Sequence, residues 1–454
     1  MEEIGPLKAV LLDLDGTLAD SLPALREAYT RFLAAHNVVG TSEEFNRWNG
    51  PPLREVVAGL ARTHELTGDF ESLFAQYLGQ VESCYIQASL VPGATALLSW
   101  LEQHQITVVL VTSAPRALAE SLLRTQSVFH RFAHIITADE VDAGKPSPEC
   151  YVKALQAIGI SAKNAVAVED SPPGVRAARG ADLRCIGIGA RRLLLDGALT
   201  VAHDLMEVCD ILDAIRRGAC RVLAASGFQV TSGPRSFGIN GAVEDKVQQL
   251  WTAALAERPS LTDGEIVTIQ DWNIHAGVLR VETASVQYRQ YLAQRSGLPL
   301  GIVPLGVSGV IQLPTGEVVL GRRSSEVSQY PGYWELIPSG GVSSRHVRTD
   351  GSVDIAGQLM EEMEEELGIE QERATAVHPL GMLQDLSNPV IDLGFLIELT
   401  ATEQEMRDGI LRHGEYEEVK LLTLEAAKNF RRPVVPTVPA LLDLVERRRR
   451  ANST

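Results

Sequence analysis

Two aspartates one residue apart, Asp13 and Asp15, end an apolar run, Ala9-Val10-Leu11-Leu12, and lead into Gly16-Thr17. The run is short, aliphatic and without helical spacing, which predicts a buried parallel strand. Side chains two apart on a strand share a face. Both carboxylates should therefore project together at the strand's carboxyl end, where open α/β sheets place their ligands. Two carboxylates there repel unless a cation lies between them, and hard oxygen donors suit magnesium. A helix or turn cap after a core strand would use one acid, not this pair. Three further places carry chemistry. Thr112-Ser113 ends the apolar run 106–111, and hydroxyls there can hold a phosphate oxygen while capping the helix that Pro115 starts. Lys145 sits in the proline-rich loop Gly144-Lys145-Pro146-Ser147-Pro148, just before a helix. Glu169-Asp170 ends a third apolar stretch, and Pro172-Pro173-Gly174 starts the helix after it.

A second centre is the glycine-rich segment Tyr330-Pro331-Gly332-Tyr333-Trp334-Glu335-Leu336-Ile337-Pro338-Ser339-Gly340-Gly341. It is followed by Glu361-Glu362-Met363-Glu364-Glu365-Glu366-Leu367-Gly368-Ile369. Ile355, Leu359, Met363 and Leu367 recur every four residues, so the acidic stretch is helical. Like charges at i,i+4, as in Glu362 and Glu366, cost a helix a few tenths of a kcal/mol per pair. A solvated acidic face is common, but this one lacks interleaved lysines and follows a glycine-rich strand end. A divalent-cation site is the expectation.

The elements that must position these residues divide the chain. Strands and helices alternate through residue 217, with amphipathic helices over 22–35, 53–64 and 70–87 inserted directly after the first acids. Residues 218–240 mix glycine and serine and read as a linker or as the start of the next domain. From 241 to 454 a helix (243–257) gives way to strand patterns at 265–270, 277–282, 306–312 and 318–322, interrupted by a helix over 286–295. The fold class is thus an α/β core with a helical cap, followed by an α+β domain.

The chain has 454 residues, 45% hydrophobic and 22% charged, which suits two or three globular domains. A net charge of −17 excludes nonspecific nucleic-acid binding, which needs a basic face. The one basic run, Arg447 to Arg450, ends a helix and reads as a solvated tail. Five widely spaced cysteines without Cys-x-x-Cys point to reduced thiols and a cytoplasmic location. The amino terminus shows no signal-peptide pattern, and no apolar run approaches the roughly 18 residues a membrane span needs.

Acids, hydroxyl, lysine and acids, in that order at strand ends, resemble the haloacid dehalogenase (HAD) superfamily in its phosphoglycolate phosphatase and β-phosphoglucomutase-like branch, over residues 6–217. The resemblance implies a Rossmann-like core with a helical cap over about 20–90. It makes Asp13 the nucleophile that forms an aspartyl-phosphate and Asp15 the general acid, then base. Thr112, with Ser113, holds the phosphoryl oxygens, and Lys145 offsets their charge. Glu169 and Asp170 complete a Mg2+ site with Asp13 and the carbonyl of Asp15. A phosphoryl transition state is mostly positioned and neutralised, so these are the parts required. The branch also contains mutases. Asn49, Arg54 and Arg116 are candidate substrate contacts, each also readable as an ordinary surface residue.

The second centre resembles the Nudix hydrolases, whose signature is Gly-x5-Glu-x7-Arg-Glu-U-x-Glu-Glu-x-Gly-U, with U aliphatic. On that resemblance Glu362, Glu365 and Glu366 are metal ligands that activate water against a pyrophosphate. Two departures stand out. Glu361 occupies the arginine position, and the stretch from Gly341 to Glu361 is longer than the signature's. The early glutamate then falls on Val353, with Asp354 or Asp350 as stand-ins. The flanking pattern resembles divergent Nudix proteins that cleave UDP-sugars. Arg322 and Arg323 are candidate phosphate clamps, and Tyr330 and Trp334 could stack a base or pack in the core.

Together the halves imply a bifunctional Mg2+-dependent hydrolase. One half removes phosphate from a small phosphorylated metabolite, and the other cleaves a nucleotide-linked substrate such as a nucleotide sugar. The alternative is a single phosphatase (or mutase) whose second half senses a nucleotide without catalysis. A homodimer organised by the C-terminal half is also compatible with the sequence.

Overall fold

The computed structural model describes residues 6–452 apart from 49–50, 86, 190–196, 219, 234–238, 240, 260, 299, 328, 387–389, 413 and 414. The chain divides into two compact units, Met1–Arg216 and Arg217–Thr454.

The first unit is built on a parallel sheet in the order His134–Ile136, Thr107–Val111, Ala9–Leu12, Ala165–Glu169, Arg184–Ile188, Thr200–Ala202. All four residues of Ala9–Leu12 are buried, as a parallel strand covered on both faces requires. Ala9 pairs with Thr107 on one side and Ala165 on the other, so the three central strands end at one level. Asp13, Thr112 and Glu169 are thereby brought side by side. His134–Ile136, Arg184–Ile188 and Thr200–Ala202 are short and partly polar, and the sequence pattern does not mark them as strands.

The helical segment leaves and rejoins this core through paired two-residue strands, Ala19–Asp20 and Ser89–Leu90. Its helices are Leu22–Ala35, Ser42–Arg47, Leu53–Thr63 and Phe70–Tyr85. Phe70–Tyr85 buries Leu73, Tyr77, Val81, Cys84 and Tyr85, a stripe at helical spacing. Each such large apolar side chain contributes about 1.5–3 kcal/mol on burial.

In the second unit, Arg221–Ala224 and Gly227–Ser232 are strands, so much of segment 218–240 belongs to the folded unit rather than to a free linker. Gly227–Ser232, Val278–Gln287 and Glu265–His275 form a three-stranded sheet. A larger mixed sheet runs Trp334–Leu336, Glu317–Arg323, Leu305–Gln312, Val390–Leu399, Ala374–Asp385, Arg221–Ala224, with Ser339–Gly341 and Tyr416–Thr423 joined to its inner strands. Helix Thr437–Asn452 packs Val438, Leu441, Leu442 and Val445 into the core with Val310, Leu320 and Trp334. Helix Ile355–Leu367 lies beside Leu305–Gln312 and Ser339–Gly341. Among the described residues, no helix is long and apolar enough to cross a membrane.

Candidate active site

At the carboxyl end of the first unit's sheet, Lys145 Nζ lies 2.6 Å from Asp13 Oδ1 and 2.6 Å from Glu169 Oε1, and donates to the carbonyl of Val111 at 3.0 Å. Burial disfavours the ammonium, but Asp13 and Glu169 outweigh it and hold the Lys145 pKa above the ordinary lysine value. Glu169 is fully buried and also accepts from Tyr151 Oη at 2.6 Å. Burial pushes its carboxyl up to about 7, with Lys145 opposing. Asp15 accepts from Ser21 Oγ at 2.5 Å and from the hydroxyl of Tyr85. Burial, and next the charge of Asp13, push Asp15 up to about 6. Asp170 is raised well above the ordinary aspartate value by burial and then by Asp13 and Glu169.

One ammonium thus faces a crowd of buried and half-buried carboxylates. Asp13, Glu169 and Asp170 each offer an oxygen, all within 4.8 Å of one another, and among the described residues no other His, Cys, Asp or Glu group converges in this way. An all-oxygen donor set short of positive charge fits a hard divalent cation. The Asp15 carboxylate stands outside that set. Two glycines let the acids close in. A Cβ on Gly16, where φ is +84°, would lie 2.2 Å from Asp170 Oδ2, and one on Gly174 would lie 1.9 Å from Glu169 Oε2.

Ser113 lines the cavity above these acids. Thr112 is buried, its Oγ1 accepting from the Ala114 amide at 3.0 Å. The other predicted contacts are placed elsewhere. Arg116 is committed to Glu120, Glu140 and the carbonyl of Ile135. Arg54 pairs with Glu71 and lies over the rings of Phe70 and Phe74. Neither is among the residues that line the cavity. Asn49 lies outside the described residues. Tyr85, Ser21 and Tyr151, which hold the acids, carry no signal in the sequence, because they themselves lie outside the motifs that contain Asp15 and Glu169.

In the second unit, Glu362, Glu365 and Glu366 do not bring three carboxylate oxygens within 4.8 Å of one another. A helix turns 100° per residue, which carries Glu365 round to solvent while Glu366 is buried. Glu366 accepts from Tyr416 Oη at 3.2 Å and the Ser339 amide at 3.3 Å, and Glu362 from Gln358 Nε2 at 2.8 Å. Burial first, then neighbouring glutamates, raises Glu366 well above the ordinary value, and burial pushes Glu362 up to about 7. The buried partner of Glu366 is Glu335, which shares the Tyr416 hydroxyl at 2.9 Å and pairs with Arg323. Arg323 is therefore spoken for, and Arg322 pairs with Glu417 at 3.1 Å. Neither guanidinium is a ready phosphate clamp. Glu361 binds His346 Nε2 at 2.7 Å. Asp354 caps the helix through the Gly357 amide at 3.0 Å, and Asp350 caps the turn at Ser352 at 2.9 Å, so neither stands in for a catalytic glutamate. Trp334 is in the core, and Tyr330 binds Asp385 beside a cavity of about 360 Å³.

Comparison with known proteins bears on the first unit. Residues 7–182 match the family of haloacid dehalogenase-like hydrolases. The validoxylamine A 7'-phosphate phosphatase of Streptomyces hygroscopicus subsp. limoneus is 34% identical over 182 residues, 40% of this chain and 85% of that protein. Hexitol phosphatase A of Escherichia coli is 32% identical over 193 residues, 40% of this chain and 83% of that one. The phosphorylated carbohydrates phosphatase of Thermotoga maritima is 29% identical over 192 residues, 42% of this chain and 88% of that one. Identity of this degree over most of a relative's length, on a parallel sheet whose central strands end in these acids, makes the chain a member of the haloacid dehalogenase-like hydrolases, its first unit a phosphatase of that family.

Proposed function

We infer that the first unit is a magnesium-dependent phosphomonoesterase working through an aspartyl-phosphate. The observation that carries this reading is the Asp13 carboxylate, held by Lys145 at 2.6 Å with Glu169 and Asp170 in the same cluster. A carboxylate oxygen of Asp13 attacks phosphorus and the bond to the ester oxygen breaks. Asp15, raised towards neutrality, gives its proton to that leaving oxygen and then takes one from the water that splits the acyl phosphate. Ser21 and Tyr85 both donate to its Oδ1, which orients Oδ2 for the transfer. Lys145 offsets charge as Asp13 loads, and Thr112 and Ser113 hold phosphoryl oxygens. Asp13, Glu169 and Asp170, with the Asp15 carbonyl, would hold a magnesium ion, which would supply charge neutralisation. Asp13→Asn should lower turnover of p-nitrophenyl phosphate by at least about 10³-fold. Acid-quenched wild type should carry a phosphoryl group on the peptide holding Asp13. Retained turnover in the variant would overturn the assignment.

The second unit supports a second reading, Nudix-like hydrolysis of a nucleotide-linked pyrophosphate, as part of a bifunctional enzyme. Its support is the contact of Glu362 with the glycine turn. A Cβ on Gly340 would lie 2.1 Å from the Glu362 carboxyl carbon, at the wall of the 360 Å³ cavity. Asp13→Asn protein incubated with magnesium and nucleoside diphosphate sugars should yield a nucleoside monophosphate and a sugar phosphate. Binding without cleavage would make the unit a nucleotide sensor instead.

A further inference from the structure

The cavity over Asp13 measures about 60 Å³ and has two chemically different ends. The floor is Asp13, Asp15, Lys145 and Asp170 with the Ser113 and Ser171 hydroxyls. The opposite wall, contributed by the helical segment, is apolar or aromatic, with Tyr29, Phe45, Trp48, Leu53, Val56 and Tyr77 as its main surface. Two of its tyrosines give their hydroxyls to carboxylates. The Tyr29 hydroxyl donates to Glu44 at 2.5 Å and lies where a Cβ on Gly40 would meet it, so the ring is what the cavity sees. The Tyr85 hydroxyl is given to Asp15.

Among the described residues lining the cavity, Lys145 is the one cation, and it is shared between Asp13 and Glu169. No basic group of the helical segment is among the described residues lining the cavity. Arg54 is held by Glu71, His64 by Glu44, and Arg26 lies over the Phe45 ring while exposed. One phosphoryl group uses the charge that the floor offers. A second anionic group on the same substrate would be buried against the wall with no partner, which is costly. Apolar surface placed there leaves water at a gain.

We propose that this site takes phosphate monoesters of uncharged alcohols presenting an apolar face, a ring or carbon skeleton, and rejects esters whose alcohol part carries a carboxylate or a second phosphate. The inference rests on the phosphatase reading of the site. It also makes hydrolysis, not phosphoryl migration, the reaction. A mutase passes through a bisphosphate, whose second dianion would meet the wall.

The test uses the full chain with magnesium and esters of matched shape: phenyl phosphate, carboxyphenyl phosphate and phenylene bisphosphate, with acetyl phosphate as an activated control. Phenyl phosphate should exceed the two charged esters in kcat/KM by at least about 30-fold. Equal values, or a preference for a charged ester, would overturn the proposal. No turnover of any compound, acetyl phosphate included, would overturn the phosphatase reading and this inference with it. Leu53→Lys, at a half-buried wall position, should bring the ratio for carboxyphenyl phosphate towards unity. An unchanged ratio in folded variant protein would count against the proposal.

Discussion

Gly174 shows how little room the acids leave. Glu169 is fixed by Lys145 and Tyr151, both at 2.6 Å, so it cannot step aside for a methyl group 1.9 Å from its carboxylate. Gly174→Ala should therefore cost on the order of 2 kcal/mol in urea unfolding and lower phosphatase turnover together. A variant as stable and active as wild type would show that Glu169 has freedom this packing denies it. The residues legible in the sequence were those whose chemistry is local. Asp13, Thr112, Lys145 and Asp170 each stand at the end of an apolar run or in a proline-marked loop. Tyr85 and Ser21 were not legible, since Tyr85 reaches Asp15 across 70 positions of chain. The wall aromatics were equally hidden, because an aromatic on an amphipathic helix carries the same pattern whether it faces a core or a ligand.

The ends of the three central strands act together, and their effect is electrostatic. Asp15 is raised to about 6 and Glu169 to about 7. A carboxyl raised in the folded state binds more protons folded than unfolded between its ordinary and raised values. Its contribution to stability is therefore present at low pH and lost as pH climbs. With EDTA, the melting temperature of the first unit should fall as pH rises from about 4 to about 7. Magnesium should reverse that trend by binding the ionised form, so its stabilisation should grow with pH. A metal-free melting temperature that rose across this range would contradict the arrangement. In the second unit, strands Glu317–Arg323 and Trp334–Leu336 bring Arg323 to the buried Glu335. Arg323→Met should destabilise that unit by about 3 kcal/mol, read from urea melts, because an unpaired buried carboxylate remains. Helix Ile355–Leu367 was legible from its four-residue apolar spacing, but the roles of its glutamates were not. Spacing tells which side chains share a face, and Glu365 lies beyond the edge of the face that Glu362 and Glu366 share.

Across the whole molecule, the alternation of strand and helix before residue 217 and the β-rich pattern after 260 could be read from hydrophobic periodicity. The stretch between them could not. In Arg221–Ala224 the well-buried side chain is Arg221, set over the Trp272 ring at 5.4 Å. A strand that buries its cation leaves no apolar alternation to find. That strand nevertheless closes the large sheet, pairing with Gly381–Gln384 of Ala374–Asp385 at the end of the strand order. Where the second unit is cut for separate study therefore decides its behaviour. A fragment of residues 217–454 keeps this outer strand, whereas one of 241–454 lays open a row of unpaired amides and carbonyls beside Leu380, Met382 and Leu383, a template for other copies. The longer fragment should elute as a single species in size-exclusion chromatography, and the shorter one should self-associate as its concentration rises.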